Sequence, residues 1–181
     1  MAIAAVRPAV PADVDEIVRI QHVTWRAAYA GIVPDAAIDQ LTGDPARAAW
    51  AAAIAAGDND PAGPAYHVLV ATEGDWTVGF CAAAGYRGEG GALAEIGTLL
   101  VEPRWGRRGH GGRLLGHAAA ALRPTGADRG HAWLPEADVA SLRFYRAAGW
   151  EPDGAARVLD TGDGSLREVR VAGPLELALH D

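Results

Sequence analysis

This sequence predicts a mixed α/β fold, built as one domain over residues 1–181, on three observations. Its apolar residues recur at helical spacing in the first third of the chain and in alternation through the middle. Two further helical stretches then interrupt the alternating ones, an order that belongs to a sheet flanked by helices. No internal repeat or low-complexity linker divides the chain. Its 181 residues, half of them hydrophobic, suit a single sizeable core.

The elements follow in order. A short strand lies near Val6. Asp13 is a predicted helix N-cap, with Glu16 three residues on as its capping-box partner. Val14, Ile17, Val18, Val23 and Ala27 form the stripe of that first helix, which Gly31 and Pro34 close. Two more helices are expected over Pro34 to Leu41 and Pro45 to Ala56. "GDNDPAGP" is a loop by its turn chemistry. "YHVLVAT", "EGDW" and "TVGFCAAAGY" read as strand, turn and strand. A third strand of this run spans about Ala94 to Val101 and stops at Pro103. A helix begins near Gly111 and ends near Arg123 and Pro124. "GHAWLP" is a strand, and "DVASLRFYRAAGW" is a helix whose end is marked by Gly149. The tail is a hairpin around "TGDG".

Composition excludes several functions. The net charge is -7, where a general nucleic-acid binder would be basic, so no nucleic-acid partner is expected. No apolar run approaches the roughly 20 residues that span a bilayer, so no membrane partner is expected either. The N-terminal "MAIAAVRPAVPADVDE" reaches Arg7 and an acidic stretch too early for a signal peptide. The single cysteine, Cys81, rules out an internal disulfide framework or a cysteine zinc site and reads as a small core residue. A cytoplasmic protein is the expectation. Neither Ser141 nor Ser165 lies in a hydrolase elbow. The histidines show no paired ligand spacing, so no metal is expected. The six tryptophans are expected to be mostly core, with Trp25 the exception.

The stretch "RWGRRGHGGRLL", Arg104 to Leu115, carries the chemistry. It sits between a strand and a helix, and its arginines stand out on an acidic background. The first N–H groups of a helix lack intrahelical partners and its dipole is positive there, so a pyrophosphate docks well on such an end. Gly109, Gly111 and Gly112 let it approach, and Arg107 and Arg108 add charge-assisted bonds. A P-loop would need a lysine, and the chain has none. A dinucleotide fingerprint would need glycine where Leu114 stands.

"LLVEPRWGRRGHGGRLL" resembles the acetyl-CoA loop of the GNAT superfamily of N-acetyltransferases, Gln/Arg-x-x-Gly-x-Gly/Ala. Gly109 and Gly111 match its last two fixed positions, and Gly106 departs from its first. "WLPEADVASLRFYRAAGWEPDG" resembles the family's next strand and helix. Ala140, Phe144, Tyr145, Gly149 and Trp150 match in type and spacing, while Asp138 stands where asparagine is usual. The resemblance implies a mostly antiparallel, mixed sheet flanked by helices, with splayed fourth and fifth strands. It implies acetyl-CoA as cosubstrate and a primary amine as acceptor attacking directly in a ternary complex; the acidic net charge and the aromatics Trp25 and Tyr29 point to a small cationic molecule as the carrier of that amine. A CoA-binding module without catalysis is the alternative that the departures at Gly106 and Asp138 leave open.

Residue roles follow from the same resemblance. Leu99, Leu100 and Val101 would offer main-chain groups to the pantetheine arm. Arg107, Arg108, Gly109, His110, Gly111, Gly112, Asp138, Ser141 and Tyr145 complete the expected CoA site. Tyr145 would protonate the leaving thiolate, with Phe144 beside it pointing into the core. The base is Glu95, a water chain or His131. Trp25 and Tyr29 would line the acceptor site together with Glu95 and His131. The sequence leaves the oligomeric state open, and the terminal strands could serve a homodimer.

Overall fold

The computed structural model describes residues 3–57, 65–162 and 164–177. Seven strands form one sheet in the order β1-β2-β3-β4-β5-β7-β6. They are β1 (Ala4–Pro8), β2 (Ala65–Glu73), β3 (Trp76–Gly88), β4 (Gly91–Val101), β5 (Arg129–Pro135), β6 (Glu151–Asp160) and β7 (Ser165–Pro174). The helices are α1 (Val14–Ala28), α2 (Asp35–Leu41), α3 (Asp44–Gly57), α4 (His110–Leu122) and α5 (Val139–Ala147). Every predicted element is present. Most of the predicted loop, residues 58–64, lies outside the described residues, as does Asp163 of the tail turn.

Helices cover both faces. On one face, Ile17 and Ile20 of α1 and Ile54 of α3 pack on Val68, Val70 and Phe80. On the other, Leu114, Leu115, Ala118, Ala119 and Leu122 of α4 pack on Ala94, Ile96, Leu134 and Val171. This double cover explains why β3 reads as a continuous apolar run, buried from Val78 to Ala83, with Cys81 fully enclosed.

All strand pairs are antiparallel except β4 with β5. That parallel pair matches only Ala94 with Gly130 and Glu95 with His131. Beyond it the two strands part. On the opposite side of β4 the register steps from Ala82↔Thr98 to Ala83↔Ile96, leaving Gly97 unopposed as a bulge beside the parting.

Three expectations are corrected. Asp13 does not cap α1 through its side chain. A short 3-10 turn, Pro11–Asp13, precedes the helix, and the Asp13 carboxylate turns back to accept from Val10 N–H at 2.8 Å and from both Arg7 Nη atoms. Glu16 pairs with Arg19 instead of completing a capping box. The tryptophans are not mostly core: only Trp150 is fully buried, and Trp76 is 59% exposed. Phe144 packs against the core as expected, though half-buried, and Tyr145 is the more buried of the pair.

Trp150 locks the C-terminal hairpin to β5. Its Nε1 donates to Pro174 O at 2.9 Å. Gly130 and Gly173 make room for the ring: a Cβ on Gly130 would lie 2.7 Å from Trp150 Cη2, and one on Gly173 would overlap the indole and stand 2.9 Å from Trp150 Cα. Gly173→Ala is expected to lower the unfolding free energy by about 1–3 kcal/mol, the cost of overpacking a filled core. A urea midpoint equal to that of the unsubstituted protein would refute this packing argument.

Candidate active site

The parting of β4 and β5 opens a cleft of about 980 Å³. Ile96 to Val101 of β4 line one side and Ala132 to Pro135 of β5 the other. The β5-facing backbone of β4 loses its ladder partner after Glu95, so its N–H and C=O groups are left for something in the cleft. Leu99, Leu100 and Val101 lie in this stretch. Leu99 and Val101 pack with the α4-side core and Leu100 with the α1-side core. The cleft therefore reaches both faces of the sheet.

At the α4 end the loop is shaped by two left-handed residues. Gly109, the N-cap of α4, has φ 79°, and Arg107 has φ 62°, a strained value for a residue with a side chain. The first bond of the helix runs from Arg113 N–H to Gly109 O at 3.0 Å. The N–H groups of His110, Gly111 and Gly112 precede it and have no helical acceptor. Arg107, Gly109, His110, Gly111 and Gly112 all line the cleft. This end suits a pyrophosphate by donor geometry and dipole. Gly111 has a second reason to be glycine, since a Cβ there would lie 3.2 Å from Phe144 Cε2.

Arg108 is placed differently from the expectation that it binds phosphate. It is not among the cleft-lining residues. Its guanidinium lies 4.9 Å from the Trp105 ring centroid and donates to Glu73 Oε1 at 3.0 Å. His110 Nε2 donates to the other Glu73 oxygen at 2.8 Å, since a carboxylate can only accept. Arg113 Nη1 donates to Arg108 O at 2.9 Å. Glu73, at the end of β2, thus forks onto two residues of the loop, a clamp that no motif in the sequence announced. The buried His110 Nδ1 has no partner among the described residues.

α5 closes the cleft on the α4 face. Asp138 caps it, accepting from Ser141 N–H at 3.0 Å and Ser141 Oγ at 2.7 Å. Both residues line the cleft, so the departure from asparagine keeps a capping oxygen. Tyr145 lines it too and is 3% exposed, tilted on Trp150 at 5.4 Å and edge-on to Phe144 at 5.1 Å. Burial pushes its phenol well above the usual value, so it stays protonated through the neutral range.

On the α1 face, Trp25 and Tyr29 line the cleft with ring centroids 6.1 Å apart. Burial, then the charges of Asp138 and Glu168, push the Tyr29 phenol up to about 12. Trp133 and Glu168 complete this wall. Neither was singled out in the sequence. The "REVR" alternation sets Glu168 opposite in facing to Val169, but alternation cannot tell a cleft wall from a solvent face.

Glu95 and His131 do not line the cleft as a pair of walls; they sit at its closed end, the last matched position of β4 and β5. Glu95 Oε2 and His131 Nε2 are 3.9 Å apart, and Tyr86 meets the His131 ring edge-on at 6.4 Å. Burial lowers the His131 pKa, against the opposing pull of Glu95. The imidazole is therefore neutral at pH 7.

A sheet opened between two parallel strands, with a glycine-lined helix start at one end, defines the acetyltransferase class of α/β fold. Residues 64–152 match the family model described as the acetyltransferase (GNAT) domain. Among solved structures, the PaiA N-acetyltransferase of Thermoplasma acidophilum in complex with coenzyme A superposes with TM-score 0.71 at 18% identity, over 93% of this chain and 98% of that one. YncA from Salmonella typhimurium, solved with its cofactor acetyl-CoA, gives 0.68 at 24% identity over 98% of each chain. An N-acetyltransferase of Staphylococcus aureus Mu50 gives 0.70 at 15% identity, over 96% and 99%. At these identities what is shared is the fold, over nearly the whole length. A search of curated sequences found no significant match.

The Glu73 clamp has a measurable signature. Its carboxyl is held below the ordinary carboxylate range, first by the bond from His110 and then by Arg108. A lowered pKa stabilises the folded loop at pH above that range, and the contribution is lost as pH falls through the lowered value. Glu73→Gln is expected to speed amide hydrogen exchange across residues 107–112 at neutral pH, and acidification is expected to do the same to the unsubstituted protein. Unchanged exchange in the variant would show that the loop holds itself without the clamp.

Proposed function

We propose that this single domain transfers the acetyl group of acetyl-CoA to a primary amine of a small molecule, by direct attack with both substrates bound. One observation carries the reading: a single cleft reaches both faces of the sheet, with an anion-binding helix start at one end and an aromatic wall at the other. Two molecules could meet in it without either leaving first.

Acetyl-CoA would supply a thioester whose carbonyl carbon the amine attacks, forming the N–C bond as the C–S bond breaks. The residues present fit it. Gly109 to Gly112 and Arg107 would receive the pyrophosphate, and the unpaired edge of β4 from Gly97 to Val101 would pair with the pantetheine amides. A backbone N–H at the Gly97 bulge would donate to the carbonyl oxygen as it gains charge. Tyr145 Oη, kept protonated by burial, would hand its proton to the departing sulfur. The attacking amine must be neutral, and its proton would pass, directly or through water, to the neutral His131 imidazole or to Glu95 beside it.

Tyr145→Phe keeps the ring packing on Trp150 and removes only the proton. General acid–base groups contribute about 10²–10⁴-fold, so kcat should fall by that order while CoA affinity by calorimetry barely moves. Undiminished kcat under conditions where chemistry limits the rate would make the hydroxyl structural.

The acceptor in this reading is a small cationic amine. The chain is acidic overall, at -7, and the aromatic faces of Trp25 and Tyr29 suit an ammonium group. Steady-state acetyl-CoA consumption with small diamines and aminoglycoside-like amines should exceed that with acidic amino acids and lysine peptides, and should fall with salt. A preference for acidic amino acids or peptides would overturn the acceptor assignment and leave the transferase reading standing.

A further inference from the structure

We infer that Glu168 is the specificity residue of the acceptor site: its carboxylate holds a second, cationic nitrogen of a diamine whose other nitrogen, neutral, is acetylated. The inference rests on the cleft being an acetyl-transfer site and adds to it what the acceptor must carry.

Glu168 is a buried carboxylate, 8% exposed, in the wall of the cleft. A buried charge needs partners. Arg157 Nε supplies one, to Oε2 at 2.6 Å. Oε1 has no hydrogen-bond partner among the described residues. The Arg157 guanidinium is itself fixed, stacked 4.4 Å from the Trp133 ring centroid. Trp133 thus braces Arg157, and Arg157 aims Glu168, while Arg157 lies outside the residues that line the cleft. The neighbouring Arg170 also sits on Trp133, at 5.7 Å, and is bound to Asp153 at 2.7 Å. Both arginines are therefore tied to carboxylates of their own. This wall turns the Glu168 carboxylate to the cleft among three aromatic rings, Trp25, Tyr29 and Trp133, while the Asp138 carboxylate, which also lines the cleft, is engaged by Ser141. That is a receptor for an ammonium group.

The place of Glu168 along the strands says which nitrogen it receives. Its partner across the ladder is Pro135, while the closed end of the cleft is at His131. The Gly97 bulge lies two residues along β4 from that end, level with Trp133. Glu168 is a further two strand residues on, roughly 7 Å at about 3.3 Å per residue. A base must come within hydrogen-bond reach of the proton it removes, about 2.6–3.2 Å. Glu168 is too far from the reacting nitrogen for that role. It is well placed for a second nitrogen joined to the first by a short alkyl chain. An acceptor bearing a carboxylate in that position would instead meet a like charge.

The test compares diaminobutane with pentylamine, which replaces the far ammonium by a methyl group. In the unsubstituted protein kcat/KM should favour the diamine by about tenfold to a hundredfold, the equivalent of one charge-assisted hydrogen bond. Glu168→Gln, which can still accept from Arg157, should collapse that ratio toward one, chiefly through KM for the diamine. A ratio unchanged by the substitution overturns the inference, as does an unsubstituted enzyme that favours neither amine. Were Glu168→Gln to misfold, the same two amines run on the unsubstituted protein at rising salt would decide, because a recognised charge makes the ratio fall and an ignored one leaves it flat. Failure of the acetyl-transfer reading looks different: neither amine would be acetylated by the unsubstituted protein, and the role of Glu168 would fall with it.

Discussion

β4 and β5 share two matched residues and then separate, and most of the molecule answers to that separation. An opened sheet exposes backbone donors and acceptors in its own middle, where a β protein ordinarily hides them. Such a gap persists only if the rest of the sheet holds both strands in place. β4 is held by its long ladder with β3, and β5 by its ladder with β7. Trp150 adds a bolt between β5 and the hairpin, which lets β5 diverge without fraying. The helices then become walls: α1 brings Trp25 and Tyr29 to one face, and α5 brings Phe144 and Tyr145 to the other.

The loop before α4 meets a different constraint. It must present N–H groups and positive charge in one direction, which requires backbone that few residues adopt willingly. Arg107 sits in the left-handed region despite its side chain, and Glu73 reaches over from β2 to grip the residues on either side of Gly109. Part of the arginine charge read as phosphate-binding is thus spent internally, on Glu73 and on Trp105. The loop is preorganised from outside its own sequence.

The order and type of the elements were legible because each depends on local period and turn chemistry. The α4 start and the α5 segment were legible for the same reason: glycine spacing and the Phe-Tyr pair are local. Asp13 was misread because its decisive partner, Arg7, belongs to the preceding strand and outcompeted the helix for the carboxylate. Glu73 and Glu168 were invisible because their importance comes from what lies across the fold. Glu73 finds its loop 35 and 37 residues away. Glu168 gains its meaning only when β7 is laid beside β5 and the cleft opens past them. The tryptophans were overassigned to the core because size alone favours burial, whereas five of the six here stay partly open.

Those half-open indoles give the molecule a property of its own. Trp25, Trp105 and Trp133 all line the cleft between β4 and β5, on α1, on the β4–α4 connection and on β5. Trp150 alone is sealed from solvent. Half of the six indoles whose near-ultraviolet emission this protein shows therefore border an occupiable space. Whatever enters, from either face, changes the polarity around at least one of them, so the chain carries its own optical gauge of occupancy.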